Sequence, residues 1–371
     1  MKADVAIVGA GMAGASLAAE VAPFASVVLL EGEARPGYHS TGRSAAFWSE
    51  SYGGPLIRPL TSASGSFLAA PPPAFSERPF LFRRGALHIA DADGRVALDD
   101  LCAQFAGTDL ALERIGRTEL EAIIPGLRPG WDAGVVEPSC TDIDVAGLHE
   151  AYLRVARTAG ATLLTNARLT AAERSGGSWR LESEAGPVEA DILVNAAGAW
   201  ADPLASLASV RPIGIRPYRR TIAQLRTDPP APATLPLVID ALGHFYFKPE
   251  AGGRIWLSPH DETPCEPCDA AAEDMDVAIA IERFQRAVDW KVARVEHKWA
   301  GLRSFAPDRL PVYGFDPECE GFFWCAGQGG FGIQTAPAGA RLAASLLLGS
   351  APDAMVAGID PASYLAGRFR N

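Results

Sequence analysis

Val5-Ala6-Ile7-Val8-Gly9-Ala10-Gly11-Met12-Ala13-Gly14, followed by Val27-Val28-Leu29-Leu30-Glu31, is the stretch that decides the fold. A short apolar run predicts a buried strand, glycines turn the chain, small residues carry a helix, and a second apolar run ends in an acid. Gly9 permits the tight turn, Gly11 lets backbone approach a pyrophosphate without an intervening Cβ, and Gly14 lets the helix lie close on the sheet. Met12 and Ala13 open that helix, whose free N–H groups and positive dipole end favour phosphate. Glu31 stands about 20 residues beyond Gly9, where a carboxylate accepts ribose hydroxyls and repels a 2′-phosphate. Strand, turn, helix, strand and acid in register predict a dinucleotide site of Rossmann type, with NADP disfavoured.

The rest of the chain returns to that site. Gly32 leads into the polar loop His39-Ser40-Thr41-Gly42-Arg43-Ser44-Ala45-Ala46, rich in N–H and hydroxyl donors with one fixed cation. Such a loop suits pyrophosphate or a flavin ring. Asp191 to Asn195 reads as a buried strand running into Ala196-Ala197-Gly198-Ala199-Trp200, a second small-residue turn. Gly321 to Ala326 reads as a third, entering Gly327-Gln328-Gly329-Gly330-Phe331-Gly332-Ile333-Gln334 before an alanine- and leucine-rich helix to Leu348. Between these pieces, Val210 to Leu225 and Leu235 to Leu257 alternate apolar and polar residues, as antiparallel strands with one exposed face do. Helices are expected over Leu56 to Leu68, Asp99 to Phe105, Thr118 to Ile124, Asp144 to Ala159 and Asp274 to Val288, and a strand-like segment over Phe80 to Ala90. A chain that meets its cofactor three times matches a large, permanently held FAD better than NAD.

Composition narrows the function classes. A chain of 371 residues exceeds one typical domain, and 48% hydrophobic with 21% charged residues describes an ordinary globular protein. A net charge of −11 argues against nucleic acid or an anionic membrane as partner. No stretch reaches the roughly 18 apolar residues of a membrane span, and the N-terminal apolar run lacks the features of a signal peptide, so a cytoplasmic location is expected. The six cysteines form no disulfide framework. Cys265-Glu266-Pro267-Cys268 is the one C-x-x-C; with no second ligand pair at metal spacing it reads as a loop with two free thiols, and no metal site is expected.

Taken in order, the glycine-rich start, His-Ser-Thr-Gly-Arg-Ser-Ala-Ala at 39–46, Asn-Ala-Ala-Gly-Ala-Trp at 195–200, Trp-Ala-Gly-Leu-Arg-Ser-Phe at 299–305 and Gly-Gln-Gly-Gly-Phe-Gly-Ile-Gln-Thr at 327–335 resemble the FAD-dependent D-amino acid oxidase superfamily, and within it the D-arginine dehydrogenases. The resemblance runs over nearly the whole chain. It implies an α/β (α+β) fold: a glutathione-reductase-like, FAD-binding Rossmann domain (1–80, 140–205 and 300–371) interleaved with an antiparallel-sheet substrate domain (81–139 and 206–299). The FAD is expected to be held non-covalently.

The resemblance also assigns roles. Arg220 and Arg303 match the residues that clamp a substrate carboxylate, Tyr52 and Tyr246 match hydroxyls that contact it or cover the site, and Gly330 matches a glycine whose carbonyl receives the substrate amine. Arginine suits the clamp because its planar fork meets a carboxylate bidentately and keeps its charge. Arg219, one residue on, would point to the opposite face of a strand. This chain has Gly85-Ala86 where the arginine-specific relatives place a carboxylate for the substrate guanidinium, and Phe47 where they have a histidine. With Trp48, Leu87, Leu237 and Ile239 these imply a more apolar pocket, and His88 and His244 read as packed or solvated. The expected activity is oxidative deamination of a neutral or apolar D-amino acid to the 2-oxo acid through an imino acid, by hydride transfer from Cα, without an obligatory general base. Alternatives are oxidation of an N-substituted glycine and, less well matched, of a 2-hydroxy acid; a flavin-binding factor without turnover and an NAD dehydrogenase are the rivals from other classes. Oxygen and a quinone both stand open as the electron acceptor.

Overall fold

The computed structural model describes residues 1–370 and is built on two large sheets. In the first, Thr162–Leu164, Val27–Leu30, Lys2–Val8, Val188–Asn195 and Phe322–Ala326 lie side by side in that order and run parallel. Both faces are covered, which is why Val27–Leu30 is buried at every position and reads as an unbroken apolar run. The helices Met12–Val21, Val145–Thr158 and Ala336–Leu348 pack into one core cluster with this sheet. Four of its strands lead at their carboxyl ends into Gly9, Glu31, Ala196 and Gly327. The three small-residue turns, far apart in sequence, therefore meet along one edge, the crevice where such sheets bind ligands.

The second sheet has ten strands, dominated by the long antiparallel pair Arg216–Asp228 and Lys291–Phe305. Arg254–Ser258, Tyr246–Glu250, Leu237–Asp240, Ala86–Ala90, Ala133–Glu137 and Glu113–Gly116 continue outward in that order. It is antiparallel except where Leu237–Asp240 runs parallel to Ala86–Ala90. The expected strand-like segment from Phe80 to Ala90 is two strands, Leu81–Arg83 and Ala86–Ala90, split at Gly85, whose φ of 76° only glycine adopts readily. Leu169–Ser175, Glu113–Gly116, Thr141–Ile143 and Val312–Phe315 are strands with no forecast in the pattern; they are short or polar and carry little periodicity. Asp144 caps the helix Val145–Thr158, its side chain accepting the Gly147 N–H at 2.9 Å. Among the described residues no helix is long and apolar enough to cross a membrane.

Backbone contact sets the first turn. A Cβ on Gly9 would lie 2.4 Å from the Ala196 carbonyl oxygen, and one on Gly14 would lie 1.9 Å from the oxygen of Gly9. Both obstacles are main chain, so neither swings aside. His149, buried on Val145–Thr158, donates to the Ala10 carbonyl at 2.8 Å and holds the turn from the opposite side; burial keeps its pKa low. Gly14→Ala is expected to lose about 2–3 kcal/mol of stability through overpacking against backbone, read as a lower thermal midpoint together with a lower FAD content after purification.

Candidate active site

A long cleft follows the edge where the glycine turns meet. Gly9, Gly11, Met12 and Ala13 line one end beside Glu31; Ser40, Thr41, Arg43, Ser44 and Ala45 form one wall; Ala197, Gly198 and Trp200 the next; Gly329, Gly330, Gly332 and Ile333 the far end. Glu31 accepts the Ala10 N–H at 3.0 Å on one oxygen and the Glu33 N–H at 3.0 Å on the other, leaving each oxygen further acceptor capacity for a hydroxyl. Thr41 Oγ1 accepts the Met12 N–H at 3.0 Å and so covers the helix start. Ser40 Oγ donates to the Leu302 carbonyl at 2.7 Å and ties this loop to the second sheet.

Other expected residues stand behind the wall. Gly14 supports the helix from below, and Gly32 lies against Arg168. Ala46 packs on the main core, and Phe331 is buried against Phe305 and Ile57. Gln334 is buried, with Nε2 donating to Thr61 Oγ1 at 2.9 Å and Oε1 accepting the Ser49 N–H at 3.2 Å. Arg43 lines the cleft, yet its cation is taken: it pairs with Asp269 and donates to the Ala270 and Ala300 carbonyls at 2.8 and 3.2 Å. The arginine pins the 269–270 loop to the cleft. The cleft still has polar groups to offer, because Ser304 Oγ and Arg220 Nη1 line it buried and without a partner. With bare backbone at the glycines and a ribose-ready acid, these residues fit FAD.

Arg220 and Arg303 share a face of the long antiparallel pair. Tyr218 opposes Arg303 and Arg220 opposes Gly301, so the two arginines are diagonal neighbours. Arg219, on the other face, pairs with Glu273 and with Asp276 at 2.9 Å. Arg303 Nη1 donates to the Tyr52 hydroxyl at 2.6 Å. Burial works against the Arg303 charge, but the Tyr52 and Tyr246 hydroxyls and the Glu262 and Asp261 carboxylates outweigh it and raise its pKa. Arg220 donates from Nε to the Asp261 carbonyl at 2.6 Å and from Nη2 to Glu262 at 3.3 Å, and burial together with Arg303 lowers its pKa. A Cβ on Gly330 would fall 2.4 Å from the Tyr52 hydroxyl and 3.1 Å from Arg303 Nη1, so the glycine turn closes directly on these two side chains.

Beyond Arg303 opens a second cavity, lined by Phe47, Tyr52, Tyr246, Leu237 and Ile239 and reaching the helix Arg95–Gln104. Phe47 meets Tyr52 and Tyr246 edge-on at 6.3 and 6.1 Å between centroids. The Tyr246 hydroxyl is buried without a partner. Strand alternation sends Leu87 into the core behind the sheet, and Trp48, donating to the Thr61 carbonyl at 2.8 Å, packs on the helix Arg58–Ala69; neither lines the cavity. His88 takes the place expected of Leu87, while His244 is solvated beside Asp240.

His260 is the residue that sequence reasoning missed. Its ring sits edge-on to Tyr246 at 5.5 Å, and Nδ1 is 2.9 Å from the Gly243 carbonyl, so it carries the proton and leaves Nε2 as acceptor. Burial, with Arg220 and Arg303 nearby, drives its pKa down to about 3. The signal lay in Ser258-Pro259-His260-Asp261-Glu262, a polar run closing an apolar strand, which also supplies the acids that hold Arg220.

Residues 4–346 match the family model described as FAD dependent oxidoreductase, DAO. Hydrogen cyanide synthase subunit HcnC of Pseudomonas aeruginosa is 27% identical over 301 residues, 78% of this chain and 68% of that protein. Glycine oxidase of Geobacillus kaustophilus is 25% identical over 360 residues, 93% of this chain and 92% of the relative. A crystal structure of glycine oxidase from Geobacillus kaustophilus superposes with a TM-score of 0.84 at 22% identity, covering 98% of each chain. With the matched model spanning both sheets and the cleft between them, the chain belongs to the DAO family of FAD-dependent oxidoreductases.

Proposed function

We propose that the protein oxidises the Cα–N bond of a neutral or apolar D-amino acid, giving the 2-oxo acid through an imino acid. One observation carries this reading: Arg220, Arg303, Tyr52 and Tyr246 converge where the dinucleotide cleft meets a largely apolar cavity. FAD, when bound, supplies the two-electron acceptor for the Cα hydride. Arg303 presents its fork to the substrate carboxylate, with Tyr52 fixing the guanidinium, and Arg220 Nη1 and the Tyr246 hydroxyl are the unpartnered donors beside it. Gly330, pressed against that clamp, offers its carbonyl to the amine. Holding both ends of the Cα–N unit gives orientation, the main protein contribution to such a reaction. Loss of hydride from Cα while the amine lone pair forms C=N yields the imino acid, and water then releases ammonia and the 2-oxo acid. The name glycine oxidase borne by one relative supports an amino-acid substrate, and the D configuration rests on the motif resemblance.

A neutral amine is required for that step. His260 and His88, lowered by burial to about 3 and about 4, stay uncharged near neutrality and are weak bases. The substrate ammonium therefore loses its proton to water. A second reading keeps the clamp and turns the cavity toward a nitrogen substituent, as in an N-substituted glycine; the likeness to glycine oxidase favours it, since glycine has no side chain to fill the space.

Anaerobic absorbance titration of the holoenzyme separates the two readings: bleaching by D-leucine, D-methionine or D-phenylalanine supports the first, and bleaching by sarcosine and longer N-alkyl glycines alone replaces it with the second. Arg303→Ala is expected to lower kcat/KM by about 100-fold or more while FAD stays bound; an unchanged value would remove the carboxylate assignment. Log kcat/KM is expected to climb with pH to a plateau set by the substrate's own amine, and His260→Asn is expected to leave that limb at the same pH.

A further inference from the structure

Paired residues on neighbouring strands face the same side of a sheet, and His88 pairs with Ile239, which pairs with Tyr246. All three line the cavity beyond Arg303. His88 thus stands two strands from Tyr246, about 10 Å between backbones at ordinary sheet spacing. Ile239 stands in the wall between them, with Leu237, Ala86 and Phe47 clustered around it, while Ser49, Ser51, Asp100 and Gln104 line other parts of the cavity. Among the described residues the His88 side chain has no hydrogen-bond partner, and its Nε2 is buried. A neutral imidazole has one donor and one acceptor; in this half-buried ring it is Nε2 that is shut away unmet. Asp240, also on the cavity, is differently placed, since it already accepts the His244 N–H at 3.0 Å and lies 3.1 Å from the His244 ring.

Building on the proposed amino-acid oxidation, we infer that His88 is a specificity-determining residue. It receives an uncharged, hydrogen-bonding group, such as a terminal amide, at the end of a substrate chain about four to six atoms long. The chain length follows from the spacing between Tyr246 and His88. The demand for an uncharged terminus follows from the imidazole being neutral: it offers a donor and an acceptor, and no charge for a carboxylate or an ammonium. The apolar stretch between suits methylenes, so the substrate is neutral as a whole, apolar in its middle and polar at its tip.

The test uses carboxylic acids that bind without being oxidised, followed by the perturbation of FAD absorbance in the holoenzyme. Adipamic acid carries the terminal amide, 6-methylheptanoic acid is its apolar isostere, and 6-aminohexanoic acid its cationic counterpart. Wild type is expected to bind adipamic acid at least tenfold more tightly than either. His88→Leu is expected to bring the amide-to-isostere ratio close to one, and His88→Asn, which keeps a donor and an acceptor, to retain most of it. An amide-to-isostere ratio that is the same in wild type and His88→Leu overturns the inference, as does a wild-type preference for the cationic acid. Failure of the underlying reading looks different: the acids still perturb the FAD spectrum, yet no D-amino acid or N-alkyl glycine bleaches it.

Discussion

Two guanidinium groups held on one face of one sheet impose the constraint on which the rest of the site depends. Arg220 is buried and each arginine lies in the other's field, an arrangement that is unfavourable without compensation. The compensation is incomplete by design of the fold. Asp261 and Glu262 hold Arg220 by Nε and Nη2, and Tyr52 holds Arg303, but Arg220 Nη1 is left bare. An anion brought between the two forks would relieve their repulsion and meet the orphaned donor together. A carboxylate has the planar shape and the charge for that place, which is why the proposed substrate is an acid whatever its other end carries.

The clamp has value only if its distance from the dinucleotide cleft is fixed, and backbone contacts fix it. Gly330 approaches Tyr52 and Arg303 more closely than any side chain would allow, and it is also a wall of the cleft. Ser40 reaches across to Leu302, and Arg43 to Ala300, so the first polar loop is bonded to the strand that carries Arg303. The two sheets are joined at the clamp itself. A shift of either would be felt at once by the group proposed to orient substrate.

How much of this could be read from residues alone varied with the kind of signal. The glycine turn and its acid were legible because bare backbone and a carboxylate at fixed spacing have few other uses. The long strand pair was legible as alternation, but its register was not, so the diagonal relation of Arg220 to Arg303 came only with the fold. Leu87 and Trp48 were assigned to the pocket from their apolarity, whereas strand parity decides facing, and parity turns Leu87 inward and His88 to the cavity. Arg43 looked like a free cation because its partner, Asp269, is more than two hundred residues away. His260 sits at φ 55°, held by the Gly243 carbonyl, and nothing in its immediate neighbours announces that geometry.

The loop bearing Tyr52 shows how the two halves of the chain constrain one another. Glu137, fully buried on Ala133–Glu137 of the second sheet, accepts Ser49 Oγ at 2.9 Å and the Glu50 N–H at 2.8 Å, and also bonds Ser51. Burial holds its pKa above the usual carboxylate range, and these donors offset that rise only in part. From the other side Gln334 accepts the Ser49 N–H and donates to the Tyr52 carbonyl at 3.3 Å. A carboxylate from one sheet, on Ser49 to Ser51, and an amide from the turn at 327–334, on Ser49 and Tyr52, thus hold one four-residue segment between them. Buried polar groups of this kind are stable only when satisfied together, so the position of the Tyr52 hydroxyl, and through it of Arg303, is set by both sheets. Gln334, which motif reasoning placed against the cofactor, acts one layer further out, carrying the order of the dinucleotide turn to the clamp.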